Sequence, residues 1–249
     1  MVTPEEAARA AYSPAQRWIS NAISLTVTLL LAAMTLLPVQ GSQHYDPSKR
    51  PQLGLFQAFD TVFRAAGALL PIVPWILRAV GHSRLPVRVQ ELPAICHPMP
   101  ELLLLLATQA IRVCFHFVHT SGQRVHCALS RKGACDPHAP HIFADHVLLG
   151  VAVQAFAAVE LAAALHTGHR LLVQRKFASR EVPTAALVPV VAAAFSAAAL
   201  LALTTGETIN TALYFHPQRE IVAALALGAP LFVAPAVGYL YSWSNLRDP

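Results

Sequence analysis

The chain has 249 residues, 55% of them hydrophobic and only 12% charged, about half the charged fraction of a soluble domain. That balance excludes an ordinary soluble fold and predicts an all-α, polytopic membrane protein. At about 20 residues per span, there is room for about six transmembrane helices. The formal net charge of +5 reads as loop Lys and Arg, and no basic stripe with interleaved aromatics points to nucleic acid.

The first apolar run, residues 18–39, carries no charge and reads as a retained anchor rather than a cleaved signal. A turn-rich connection, "QGSQHYDPSKRPQ", follows. The second span, residues 55–80, contains Asp60 and Arg64 on one helical face, with Pro71 and Pro74 expected to kink its far end. An ionisable pair in a span faces the protein interior or a wet cavity, unless it sits in the interfacial turns with Arg64 snorkelling. The third span, 101–118, carries Arg112, and the fourth, 142–165, carries Glu160. "HTGHRLLVQRKFASREV" reads as a basic loop. The fifth span starts near residue 183 and continues past Gly206, and the sixth covers 221–241 with an aromatic belt of Tyr239, Tyr241 and Trp243 at its exit. The whole chain, 1–249, is read as one domain without internal repeats.

Six spans place both termini on one face. That face collects ten Lys or Arg (Arg9, Arg17, Arg78, Arg84, Arg88, Arg170, Arg175, Lys176, Arg180, Arg247), against six on the other. The bias weakly places the termini inside. Ala-rich stretches such as "AVQAFAAVELAAA" let helices approach closely, so they are expected to pack on one another or on a protein partner.

Chemistry-bearing residues gather opposite the termini. Cys127 and Cys135 are close enough in sequence to be bridged on an oxidising face, or they remain two free thiols. His138, His141 and His146, with Asp136 and Cys135, offer metal-ligand atoms, but their spacing lacks the i, i+4 pair of a helical zinc site. No metal and no cofactor is therefore assigned. His146 enters the fourth span and His216 leaves the fifth, so the topology brings them to one interface. Two such imidazoles can divide phosphoryl chemistry, one attacking phosphorus and the other protonating the leaving oxygen. Histidines also sit at headgroup level purely as polar anchors.

The order of these features resembles the fat-storage-inducing transmembrane (FIT) family. The residues that carry the likeness are "HYDPSKRPQLGLF" after the first span, Cys114, Cys127 and Cys135 around the loop, "HVLLGVAVQAFAAVE" opening the fourth span, and "TALYFHPQREIVAALALGA" before the last. The resemblance implies a six-span protein of the endoplasmic reticulum, mechanistically related to lipid phosphate phosphatases. Such proteins are associated with cleavage of acyl-CoA diphosphate bonds and with lipid-droplet budding. Carried over by position, His216 is nucleophile-like and His146 acid-like, with Asp145, Glu160 and Arg131 as nearby candidates.

The chain also departs from the family. Ala144 and Asp145 stand where the family has Ser-Gly, and Val159 where it has the first of two glutamates. Ala144 offers a phosphate no side-chain donor. An ionised Asp145 about 4 Å from a phosphate charge costs on the order of 4 kcal/mol at an effective dielectric of 20, unless a cation compensates.

Two functional expectations follow. One is a FIT-like enzyme hydrolysing a lipid phosphoanhydride or phosphoester, acting on acyl-CoA or a phosphatidic-acid-like lipid. The other is a catalytically inactive FIT-like subunit of a large membrane complex, for example in the mitochondrial inner membrane. Both expect membrane lipids as ligands, and the second expects protein partners. A transporter, suggested by Asp60, Arg64, Arg112 and Glu160, is the weaker third reading, because no inverted repeat is visible.

Overall fold

A computed structural model describes residues 14–41, 54–90, 97–129, 143–177 and 183–245, and all regular structure among them is helical. The helices are α1 (Pro14–Leu36, extended by a 3-10 turn Leu37–Gly41), α2 (Gly54–Ala66), α3 (Ile72–Ser83), α4 (Val87–Gln90), α5 (Pro98–Leu129), α6 (Asp145–Phe177), α7 (Thr184–Tyr214), α8 (Gln218–Gly228) and α9 (Ala234–Asn245). Five segments are long and apolar enough to cross a membrane: Trp18–Val39, Pro98–Phe115, Asp145–Val173, Thr184–Tyr214 and Gln218–Tyr241. The chain is an all-α, multi-pass integral membrane protein.

Helix α6 is the axis of the bundle. All eighteen residues from 147 to 164 are buried, and α1, α3, α5, α7, α8 and α9 all touch it. A helix so largely apolar needs cover by protein or lipid, and neighbouring helices cover this one. Its Ala and Gly content lets six neighbours approach a single axis. At Gly150 an added Cβ would collide with Thr208 of α7, and at Gly228 it would meet Val151 Cγ1 at 2.9 Å. The outer helices turn Trp18, Leu103, Phe117, Val188 and Phe195 outward, as an apolar solvent allows.

The expected second span, residues 55–80, is not one helix. It breaks between α2 and α3 through a 3-10 turn, Gly67–Leu69. Pro71 is the N-cap of α3 and Pro74 lies in its first turn, so neither can accept a helix continuing from α2. The break falls upstream of the kink expected at the far end. The connection still runs the length of the bundle. Gly67 abuts Leu149 near the start of α6, and Gly81 abuts Ala186 and Val190 near the start of α7.

Prolines shape two other helices. Pro189 lies inside α7 and cannot donate to the Ala185 carbonyl. Arg84 Nη1 donates to that carbonyl instead, at 3.1 Å. Pro230 opens the α8–α9 rod into a π-helical turn, Ala229–Val233, which accommodates the ring without ending the rod.

The expected fourth span starts later and runs further. Helix α6 continues to Phe177, so the first part of the expected basic loop is helical. Arg78 and Arg170, counted above as loop charges on the terminal face, are both buried. Removing them leaves eight (10 − 2) against six, so the charge bias is weaker than the sequence suggested.

At Gly81 an added Cβ would lie 2.7 Å from Val190 Cγ2 and 3.0 Å from the Ala186 carbonyl oxygen. Gly81→Ala is therefore expected to force α3 off α7 and to lower stability by about 1–3 kcal/mol, the cost of overpacking. Gly238→Ala, where nothing lies within 4 Å, is the matched control and is expected to be neutral. Unfolding midpoints of the two variants in detergent check this.

Candidate functional site

Two polar constellations sit on α6, at different depths. The deeper one is a charge cluster. Arg78 of α3 donates Nε to Glu160 Oε2 at 2.8 Å and Nη2 to Glu160 Oε1 at 3.0 Å. The same Nη2 lies 3.3 Å from Oε2 of Glu101 on α5. The three side chains are 0%, 0% and 1% exposed. The two-pronged geometry suits a guanidinium and makes the pair directional. One turn further along α3, His82 is buried and stacks edge-on against His97, with ring centroids 5.0 Å apart. Burial pushes the His82 imidazole below its ordinary value, and His97 and Arg78 push it the same way.

The second constellation is at the N-terminal end of α6. The Ala144 N–H donates to the Glu220 carbonyl at 3.1 Å, tying the start of α6 to the first turn of α8. Glu220 also carries the His216 ring, with Nδ1 2.8 Å from Oε2. An ionised carboxylate only accepts, so Nδ1 is the donor in this contact. Asp145 occupies the first position of α6, where the helix dipole favours negative charge. Arg112 of α5 donates Nη2 to Asp145 Oδ2 at 2.8 Å.

A polar seam on α7 leads to this end. Thr205 and Thr208 donate back to the carbonyls of Leu201 and Thr204, each at 2.7 Å. Gln154 of α6 donates to Thr205 Oγ1 at 3.2 Å, and Thr211 donates to buried Glu207 at 3.1 Å. At the opposite end, Ser20 and Ser24 of α1 hold both ring nitrogens of His166, at 3.1 and 3.2 Å.

The expected site residues divide accordingly. His146, the second residue of α6, and His216, two residues before α8, lie on segments joined by the Ala144–Glu220 bond. The same end receives Asp145. Glu160 is fifteen residues further along α6, about 22 Å at 1.5 Å per residue, and belongs to the Arg78 cluster instead. Arg131 and Cys135 lie outside the described residues, so the Cys127–Cys135 bridge does too. Cys127 is on the last turn of α5, and Cys114 is a free, exposed thiol. Among the described residues no group of three His, Cys, Asp or Glu side chains could hold a metal.

Glu220 and Arg78 were missed as site residues by the sequence reading. The i, i+4 spacing in "HPQRE" is the signal for the His216–Glu220 contact. Arg78 had no such signal, because its partners are 23 and 82 positions away.

The described cavity is elsewhere. An apolar groove of about 500 Å³ runs between α1, α6 and α7, lined by residues that include Ile23, Leu161, Leu165, Val191 and Phe195. Its nearest lining residue on α6, Leu161, is fifteen positions from His146, again about 22 Å along the axis.

Fold and polar sites together define the chain as a multi-pass membrane protein with paired charges inside its bundle. Comparison with family models, curated proteins and solved structures gives no match.

Arg78→Leu leaves Glu160 and Glu101 without their counter-charge and is expected to cost about 3–5 kcal/mol, as for other broken buried pairs. Asp145→Ala breaks the Arg112 pair, whose side chains are 8% and 18% exposed, and is expected to cost less than loss of the fully enclosed cluster. Denaturant unfolding in detergent ranks the two. The His82 shift gives a pH prediction with a definite sign. Its folded form holds the proton less tightly than the unfolded chain, so stability is complete above about 6.5 and declines as pH falls below it. His82→Phe is expected to remove that part of the acid loss, read as a flatter plot of unfolding midpoint against pH.

Proposed function

We infer that this chain is a FIT-like membrane subunit that holds lipid without hydrolysing it. The observation that carries this reading is the closure of the α6 N-terminus by the chain's own groups. A helix N-terminus binds a phosphate through free N–H groups and its positive end. Here the Ala144 N–H is taken by the Glu220 carbonyl. The negative charge that the dipole favours is supplied by Asp145, and Arg112 is bound to Asp145 rather than directed at a ligand. Glu207 and Glu220 add two more carboxylates at this end, a balance that opposes an anionic substrate.

The apolar groove between α1, α6 and α7 suits an acyl chain, and its lining has no charged side chain. The lining residue of the groove nearest to His146 on α6, Leu161, lies about 22 Å along that helix from it. Protein partners are part of this reading, since the apolar outer faces of the spans suit lipid or another membrane protein equally. The resemblance places such a protein in the endoplasmic reticulum, and an energy-converting membrane such as the mitochondrial inner membrane is the alternative location for a complex subunit.

A second reading, a lipid phosphatase or acyl-CoA diphosphatase, is favoured by the 2.8 Å contact between His216 Nδ1 and Glu220. A carboxylate-oriented imidazole with its lone pair on Nε2 is the form a histidine nucleophile or base requires.

Purified full-length protein, assayed on acyl-CoA and on phosphatidic and lysophosphatidic acid, separates the two. The structural reading expects no turnover that His216→Ala removes, and native migration in mild detergent above the mass of a lone chain. Turnover abolished by both His216→Ala and His146→Ala would establish the hydrolase.

A further inference from the structure

The cluster around Arg78 does not balance in charge. Among the described residues, one guanidinium faces two carboxylates, Glu160 and Glu101, and all three side chains are essentially inaccessible to water. The remaining Arg78 donors can add hydrogen bonds but no positive charge. A bare excess negative charge in such an interior is costly enough that the group takes up a proton instead. Within a hydrocarbon-spanning bundle the same argument is stronger.

Geometry decides which carboxylate takes it. Glu160 receives two aligned hydrogen bonds from Arg78, at 2.8 and 3.0 Å, the arrangement of an ionised partner. Glu101 Oε2 stands 3.3 Å from Nη2 but has no hydrogen bond, although it is buried. It lies in the first turn of α5, where the dipole favours an anion, four residues after His97, which stacks on His82. His97 is exposed, His82 is buried, and His82 Nε2 has no hydrogen-bond partner. Among the described residues, Arg78 of α3 and Glu160 of α6 act on Glu101, and the stacked His82 and His97 belong to α3 and to the lead-in of α5.

We propose that Glu101 is a proton-binding site inside the membrane, occupied in the closed bundle and exchanging its proton with the membrane face carrying His97 through the imidazoles of His97 and His82. The ligand is a single proton. His97 takes it from water, and His82 accepts it on one ring nitrogen as it releases one from the other. The Glu101 carboxylate then becomes a carboxylic acid, and the reverse sequence returns the proton. No electron moves and no co-reactant is needed. The cluster passes between net charge −1 and 0, so its occupancy is coupled to how tightly α3, α5 and α6 close on one another.

Infrared spectroscopy of the full-length protein in lipid nanodiscs at neutral pH tests this. The wild type is expected to show the C=O stretch of a protonated carboxylic acid, shifting in D₂O, and Glu101→Gln is expected to remove it. An unchanged band in that variant, or no band in the wild type, overturns the assignment. Glu101→Gln is the neutral isostere of the protonated acid, so it is expected to keep the wild-type unfolding midpoint. A variant that fails to fold overturns the proposal as well. For the route, His82→Phe is expected to slow deuterium exchange of the band by tenfold or more, and an unchanged exchange rate overturns passage through His82.

Discussion

A helix enclosed on all sides has no face on which to leave a charge, and that constraint organises this bundle. Helix α6 runs through the middle of the protein with residues 147–164 wholly buried. Every polar group it carries there must find its partner on a neighbouring helix, or the desolvation cost is uncompensated. Glu160 finds Arg78 of α3, Gln154 finds Thr205 of α7, and nearer the C-terminal end His166 finds Ser20 and Ser24 of α1. Each contact reaches a different neighbour. Together they specify which helix lies on which side of α6, something Ala and Val surfaces alone specify poorly. Non-directional packing supplies the closeness, and the polar pairs supply the arrangement.

Small residues and prolines make that arrangement possible. Gly81 and Gly150 permit contacts with α7 that a Cβ would obstruct. The prolines act where the backbone must deviate, and each freed group is either solved locally or used. Pro189 releases the Ala185 carbonyl, and Arg84 takes it up. A cationic side chain near the end of α3 is thereby tied to the beginning of α7, at the level where Gly81 and Val190 meet. The break after α2 has the same character. It separates α2 from α3, the helix that carries Arg78 to Glu160.

The class of fold was legible from the sequence because an apolar solvent imposes long uninterrupted apolar runs, and five of these became spanning helices. That the segments carrying His146 and His216 are joined, through the Ala144 N–H and the Glu220 carbonyl, agrees with the topology read from the sequence. Other features were hidden for identifiable reasons. Arg78 follows "PIVPWIL" and looks like the basic residue that ends a span, and only the partner 82 residues later makes it interior. The helical continuation to Phe177 was concealed by His, Arg and Lys, which suit a loop equally well. Glu220 was overlooked because it follows a proline-containing turn, although its spacing from His216 is that of adjacent turns.

The two ends of α6 carry different electrostatic problems. At the N-terminus, the macrodipole already favours an anion, and Asp145 provides one within the chain. The pair with Arg112 then neutralises the excess within the chain through Nη2, while the buried Arg112 Nε has no hydrogen-bond partner. Deeper in the bundle, Glu101 also lies in the first turn of its helix, where the dipole favours an anion, but no water reaches it and Arg78 alone cannot neutralise two carboxylates. The same kinds of side chain therefore produce opposite states. At the helix end they form a closed pair that leaves little attraction for phosphate, whereas at depth they leave one negative charge that a small cation must cancel. A proton is the cation that such a dry, tightly packed place admits most readily, because it needs no coordination shell and adds no volume.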